Sequence, residues 1–168
     1  MRKLHLVRNQ LSDQQVEPIY KNLVETQNLK LLYMSHNKMS DTALGYLAEG
    51  LAANPGIEEL SFTHNDLSLP NGIKFVQALK QMTSLKKLSL NSCQLDLELI
   101  EELKEALFDN ETLTSLNLYS NEINSEGAQL IAKMLHNKSN LKTLGLSNNF
   151  IGHGGALEIA QVCMDTCD

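Results

Sequence analysis

The chain has 168 residues, 42% of them apolar, no Trp and a formal net charge of −6. That is long and apolar enough to bury the core of one domain, and it excludes a disordered chain. The acidic balance argues against a general binder of phosphate backbones, which needs a basic surface to displace counterions.

The first 28 residues set a pattern. Leu4 and Leu6 alternate with Lys3 and His5, the period of a half-buried strand. Ser12-Asp13 then supplies helix-starting chemistry. Residues 29–56 repeat it: Leu29, Leu32 and Met34 form the strand, Asn37 a turn, and Leu44, Leu47, Ala48 and Leu51 a helix face spaced i, i+3, i+4, i+7. Ser40-Asp41 precedes that helix, and Asn54-Pro55-Gly56 ends it. Residues 57–84 keep Ile57, Leu60, Phe62 and Asn65, and 85–112 keep Leu85, Leu88 and Leu90 with Cys93 in the Asn place. The fourth unit also carries the chain's acid, a net −4.

Residues 113–140 give the clearest unit. Ser115-Leu116-Asn117-Leu118-Tyr119 reads as a strand, Asn124-Ser125 as a cap, and Ala128, Ile131, Ala132 and Leu135 as a helix face. Residues 141–168 follow with Leu144, Leu146 and Asn149. There Cys163 falls at the last core helix position and is expected to be a small buried hydrophobe. No insertion breaks the 28-residue register. The Asn in the turn has two donors and an acceptor, so stacked copies are expected to form a ladder satisfying backbone groups of successive units.

This pattern resembles the ribonuclease-inhibitor-like class of leucine-rich repeats, over the whole chain. The segments Asn121-Glu-Ile-Asn-Ser-Glu-Gly-Ala and Asn149-Phe-Ile-Gly-His-Gly-Gly-Ala look like the repeats of NOD-like receptors and Ran GTPase-activating proteins. Leu69-Pro70-Asn71-Gly72 and Leu97-Glu98-Leu99-Ile100 depart from that signature. The resemblance implies an α/β solenoid of six strand–helix units (1–28, 29–56, 57–84, 85–112, 113–140 and 141–168) in one domain, with a parallel sheet on the concave face. Strands sit about 4.8 Å apart and helices about 8–10 Å, so the stack bends by roughly 20° per unit. No capping unit is evident, so the chain is expected to be a fragment, or to have its ends covered by flanking sequence, a partner or a second copy.

The expected function is binding a protein partner on the concave face, as a scaffold or sensor segment, without enzymatic activity and without a cofactor. The residues that face solvent there include Lys3, His5, Arg8, Leu31, Tyr33, His36, His64, Asn91, Tyr119 and Phe150. Arg8, Tyr33 and Tyr119 are the expected anchors, because Tyr and Arg are frequent interface residues. On the convex side Glu98, Glu101, Glu102 and Glu105 form an acidic stripe, either plain solvated surface or a docking site for a basic partner. Two narrower functions are alternatives by resemblance: a GTPase activator of the Ran-activator type, and an actin-end cap of the kind tropomodulin's repeats suggest. Neither transfers a functional residue to a position here.

Other motifs are weaker. His36 and His64 share one register position and can begin a metal site, but neighbours Arg8 and Ser92 add no ligand. Cys163 and Cys167 are four apart with no further ligand beside them. Gly152-His153-Gly154-Gly155 is superficially like an esterase oxyanion loop, without a G-x-S-x-G partner. No P-loop, G-x-G-x-x-G or H-E-x-x-H occurs. The sequons at Asn110 and Asn137 read as chance, since no signal peptide is evident. No apolar run is long enough to span a membrane. Three Cys make no disulfide framework. A cytoplasmic location is expected, with no nucleic acid and no membrane as partner.

Overall fold

The computed structural model describes residues 2–136 and 138–165. Strands β1 (Lys3–His5), β2 (Leu31–Tyr33), β3 (Glu59–Ser61), β4 (Lys87–Ser89), β5 (Ser115–Asn117) and β6 (Thr143–Gly145) alternate with helices α1 (Asp13–Thr26), α2 (Asp41–Ala52), α3 (Gly72–Ala78), α4 (Leu97–Leu107), α5 (Ser125–Leu135) and α6 (Gly152–Asp165). The strands pair in chain order in one parallel sheet. Leu4 lies beside Leu32, then Leu60, Leu88, Leu116 and Leu144, a step of 28 residues at every pair. The chain is thus an α/β leucine-rich-repeat solenoid with strands along one side and helices along the other.

Leu32, Leu60, Leu88 and Leu116, with Met34, Phe62, Leu90 and Leu118 two residues on, point inward and are buried. They meet the buried helix faces, for example Leu44, Leu47 and Leu51 or Ile131 and Leu135. The turn asparagines Asn37, Asn65 and Asn121 are buried too and Asn149 is half-buried, and each side chain ties its own turn to the preceding one. Asn121 Oδ1 accepts from Cys93 N at 2.9 Å and Leu95 N at 3.2 Å. Its Nδ2 donates to Leu90 O at 2.9 Å and Leu118 O at 3.0 Å. Asn37, Asn65 and Asn149 repeat the arrangement. At the fourth rung Cys93 Sγ donates to Phe62 O at 3.5 Å, and the Cys93 backbone carbonyl accepts from Leu67 N at 3.0 Å. Burial pushes that thiol up to about 12.

Helix starts follow the local chemistry. Ser40 Oγ accepts from Ala43 N, Asp96 Oδ1 from Leu99 N, and Asn124 Oδ1 from Gly127 N. The third unit is the exception. Its α-helix begins late, at Gly72, behind Pro70, and passes after Ala78 into a 3-10 turn over Leu79–Gln81. The Asp41 carboxylate accepts from Asn71 N at 2.7 Å and fixes that delayed start. Gly72 is required: a Cβ there would stand 1.7 Å from Leu67 O.

Each helix packs through two rows. Forward residues such as Val16, Leu44 and Leu23 reach the next unit. Backward residues such as Ala43, Gly50 and Met134 reach the preceding one, a row the period alone did not reveal. The terminal helices show the rows separately. In α1 the forward Val16 and Leu23 are buried while the backward Gln15 and Asn22 are exposed. In α6 the backward Gly155 and Val162 are buried while the forward Ala156, Ala160 and Cys163 are exposed. Cys163 is therefore not the buried hydrophobe its register position predicts. It lines an open hollow with Leu135, Leu141 and Leu144, and no further helix covers it among the described residues. Cys167 and Asn137 fall outside the described residues. Asn110 is interior: its Nδ2 donates to Leu85 O at 3.3 Å, and its Oδ1 accepts from Leu113 N at 2.8 Å.

Candidate protein-interaction groove

Every strand ends in the same turn. Arg8, His36, His64, Ser92, Ser120 and Asn148 all have φ between 52° and 60°, a left-handed conformation that non-glycine residues adopt at a cost of order 1 kcal/mol or more. The turn sends the chain away from the sheet and sets these side chains in a file along the strand ends. His36 and His64 stack there, ring centroids 4.1 Å apart at 27°. Burial, then His64, then Arg8 hold the His36 imidazolium below the usual histidine range. Among the described residues no group of three His, Cys, Asp or Glu side chains is placed to hold a metal ion.

The strand residues between the core leucines line a groove of about 420 Å³. Its floor is small and polar, with Ser61, Thr63, Ser89, Ser115 and Asn117, and its walls carry Tyr33, His36, Glu59 and Lys87. A chain of contacts crosses β1 to β4. His5 meets the Tyr33 ring edge-on at 4.6 Å. Tyr33 Oη donates to Glu59 Oε2 at 2.5 Å, and Lys87 Nζ pairs with Glu59 Oε1 at 2.9 Å. The accepted hydrogen bond from Tyr33, then the Lys87 cation, hold Glu59 below the usual carboxylate range, while the same carboxylate holds the Tyr33 phenol above its own. Strand register alone accounts for this, because Tyr33, Glu59 and Lys87 sit on adjacent strands at neighbouring heights.

Of the residues singled out in the sequence, Tyr33 and His36 line this groove. His64 joins His36 in a neighbouring hollow with Lys38, Asp66 and Ser92. Lys3, His5 and Arg8 are exposed on the first unit, and Leu31 is half-buried on β2. Asn91 is already engaged: its Oδ1 accepts from Tyr119 N at 3.0 Å and its Nδ2 donates to Ser89 Oγ at 3.1 Å. Tyr119 and Phe150 are 46% and 72% exposed and lie outside the groove, Phe150 on the loop beyond the turn. Glu59 and Lys87 were missed as site residues. The alternation rule that places Leu60 and Leu88 inside places both of them on the groove side.

The convex stripe lies on α4. Glu98, Glu101 and Glu105 are exposed, and Glu102 is half-buried. Glu102 accepts from Gln77 Nε2 at 2.9 Å, and Glu105 pairs with Lys104 at 2.9 Å. Pairs this exposed contribute about 0–1 kcal/mol.

The fold and its inner face define a leucine-rich-repeat architecture. The family model described as "Leucine Rich repeat" matches residues 109–132, the end of the fourth unit and most of the fifth. The tropomodulin C-terminal domain from Caenorhabditis elegans superposes with a TM-score of 0.59 at 8% identity, covering 99% of this chain and 84% of that one. At that identity the likeness is one of fold. An internalin from Listeria monocytogenes aligns over 83% of this chain and 67% of its own at 15% identity, with a TM-score of 0.33, too low to carry weight. No curated protein matches the chain in sequence. Among the described residues no helix is long and apolar enough to cross a membrane.

Proposed function

We propose that this chain is a scaffold or sensor module of the ribonuclease-inhibitor-like class that holds a protein partner on its concave face. One observation carries the reading. The buried rows repeat unit by unit, whereas the groove rows vary along the solenoid: His5, Tyr33, Ser61, Ser89, Asn117 and Gly145 stand at one and the same register position. A repeating core with a non-repeating inner face supplies a rigid, individually shaped surface. Arg8, Tyr33 and Tyr119 are the anchors in this reading. A cytoplasmic setting accords with a buried thiol at Cys93 and an exposed one at Cys163.

The test is an affinity-purification series from extracts of the source organism. The triple variant Arg8→Ala/Tyr33→Ala/Tyr119→Ala should lose the partners that the parent retains. The convex variant Glu98→Ala/Glu101→Ala/Glu105→Ala should keep them. Equal retention by both variants overturns the proposal. Stimulated GTP turnover or slowed actin-filament elongation would instead favour one of the two narrower functions, the Ran-type activator or the actin-end cap.

A further inference from the structure

The charge of this chain is divided between its two sides. The strand-side segments, residues 2–8 and their equivalents in each unit, hold seven of the fourteen Lys and Arg but only two of the twenty Asp and Glu. They also hold His5, His36 and His64, three of the five histidines. The inner side thus carries a net +5 and the remainder of an acidic chain carries −11. Such a division produces a field across the arc, positive toward the groove and negative toward the helices.

Both inner carboxylates are engaged. Glu58 lies between Lys30 at 3.2 Å and Lys86 at 2.8 Å, and Glu59 lies between Tyr33 and Lys87. Lys3 and Arg8 have no ion pair of 4.0 Å or less among the described residues. They stand exposed on the first unit, which gives Val7 to the groove lining, and Lys87 lines the groove from the fourth, with hydroxyls of Ser61, Thr63, Ser89 and Ser115 along the lining. Cations at the rim and short hydroxyls on the floor are complementary to carboxylates on a slender chain.

We propose that the groove recognises an acidic segment of its protein partner, with carboxylates lying toward Lys3, Arg8 and Lys87. This rests on the concave-face reading above and adds the chemical class of the partner. A nucleic acid offers anionic charge too, but the aromatic side chains here are poor stacking platforms for bases: Tyr33 is fixed by Glu59 and lies edge-on to His5. The negative outer side also opposes a long polyanion.

The probe is a fluorescein-labelled twelve-residue peptide of alternating Glu and Ser, read by fluorescence anisotropy, with the Lys-Ser analogue as its opposite. The Glu-Ser peptide should bind at least about tenfold more tightly than the Lys-Ser peptide, and should weaken about tenfold between 50 and 300 mM salt. Lys3→Glu/Lys87→Glu should weaken it about tenfold. Lys74→Glu/Lys133→Glu, the same charge change on exposed helix positions, should leave it within about twofold. Circular dichroism checks that both variants fold, and Lys3→Gln/Lys87→Gln provides a milder second pair. No binding of the acidic peptide, equal loss in the groove and helix variants, or tighter binding of a twelve-nucleotide oligothymidylate overturns the proposal. If the acidic peptide fails while the alanine triple variant still loses the partner, concave binding stands and the acidic class falls.

Discussion

The inner rows of this solenoid and its groove rows are made by the same short strands, yet they obey different rules. Leu60, Leu88 and Leu116 are interchangeable and fully packed. Glu59, Lys87 and Ser115, one residue away on the same strands, share neither size nor charge. Uniformity marks what the fold needs, and irregularity marks what is left free for recognition.

Perturbing the uniform rows should give the largest effects. Leu116→Ala should lower stability by about 2–5 kcal/mol in urea denaturation, from lost transfer energy and a cavity. A loss below about 1 kcal/mol would contradict the packing. Asn121→Ala should come next. It strands the Cys93 and Leu95 amides and the Leu90 carbonyl, while Leu118 O keeps Asn149 Nδ2, and each buried group left unsatisfied costs about 1–3 kcal/mol, part of it recovered by relaxation or water. The imperfect rung offers the reverse experiment. Cys93→Asn should raise stability by about 1 kcal/mol if the ladder is the governing feature. Native Cys93 should also resist alkylation at pH 8 while Cys163 reacts, read by peptide mapping.

The irregular rows should respond more weakly. His36 has a folded pKa below its unfolded value, so the unfolded chain binds more protons in the window just below pH 6.5. Stability should therefore fall as pH drops through that window and recover as it rises. His36→Gln should flatten the melting-temperature profile there, and an unchanged slope would count against the stacked pair. Lys87→Ala should change stability by no more than about 0.5 kcal/mol, since the Lys87 side chain is exposed and Glu59 keeps its hydrogen bond from Tyr33.

The register, the core leucines, the asparagine ladder and the strand–helix alternation were legible in the sequence because each repeats. The backward helix row was not. Small residues such as Gly50 and Ala78 fill it, and these carry little hydrophobic signal. Lys138 was equally hidden. It is buried and donates to Phe108 O at 2.6 Å, closing the end of α4, at a place where other units use Asn54 or Asn110. A cation in that setting looks like surface until the neighbouring unit is laid beside it. Cys163 erred the other way: its register position is interior only where another helix follows. In the groove, Tyr33 and His36 stood out by residue type, whereas Glu59 and Lys87 resembled ordinary surface charge. Only the parallel register brings them together.

The most direct trial of the central claim is hydroxyl-radical footprinting of the chain with its partner bound. The account predicts that oxidation of His5, Tyr33, His36 and Tyr119 on the inner side falls severalfold while that of Phe108 beside the helices is unchanged. Protection of Phe108 and the α4 surface, with the inner-side residues oxidised as in the free chain, would contradict it.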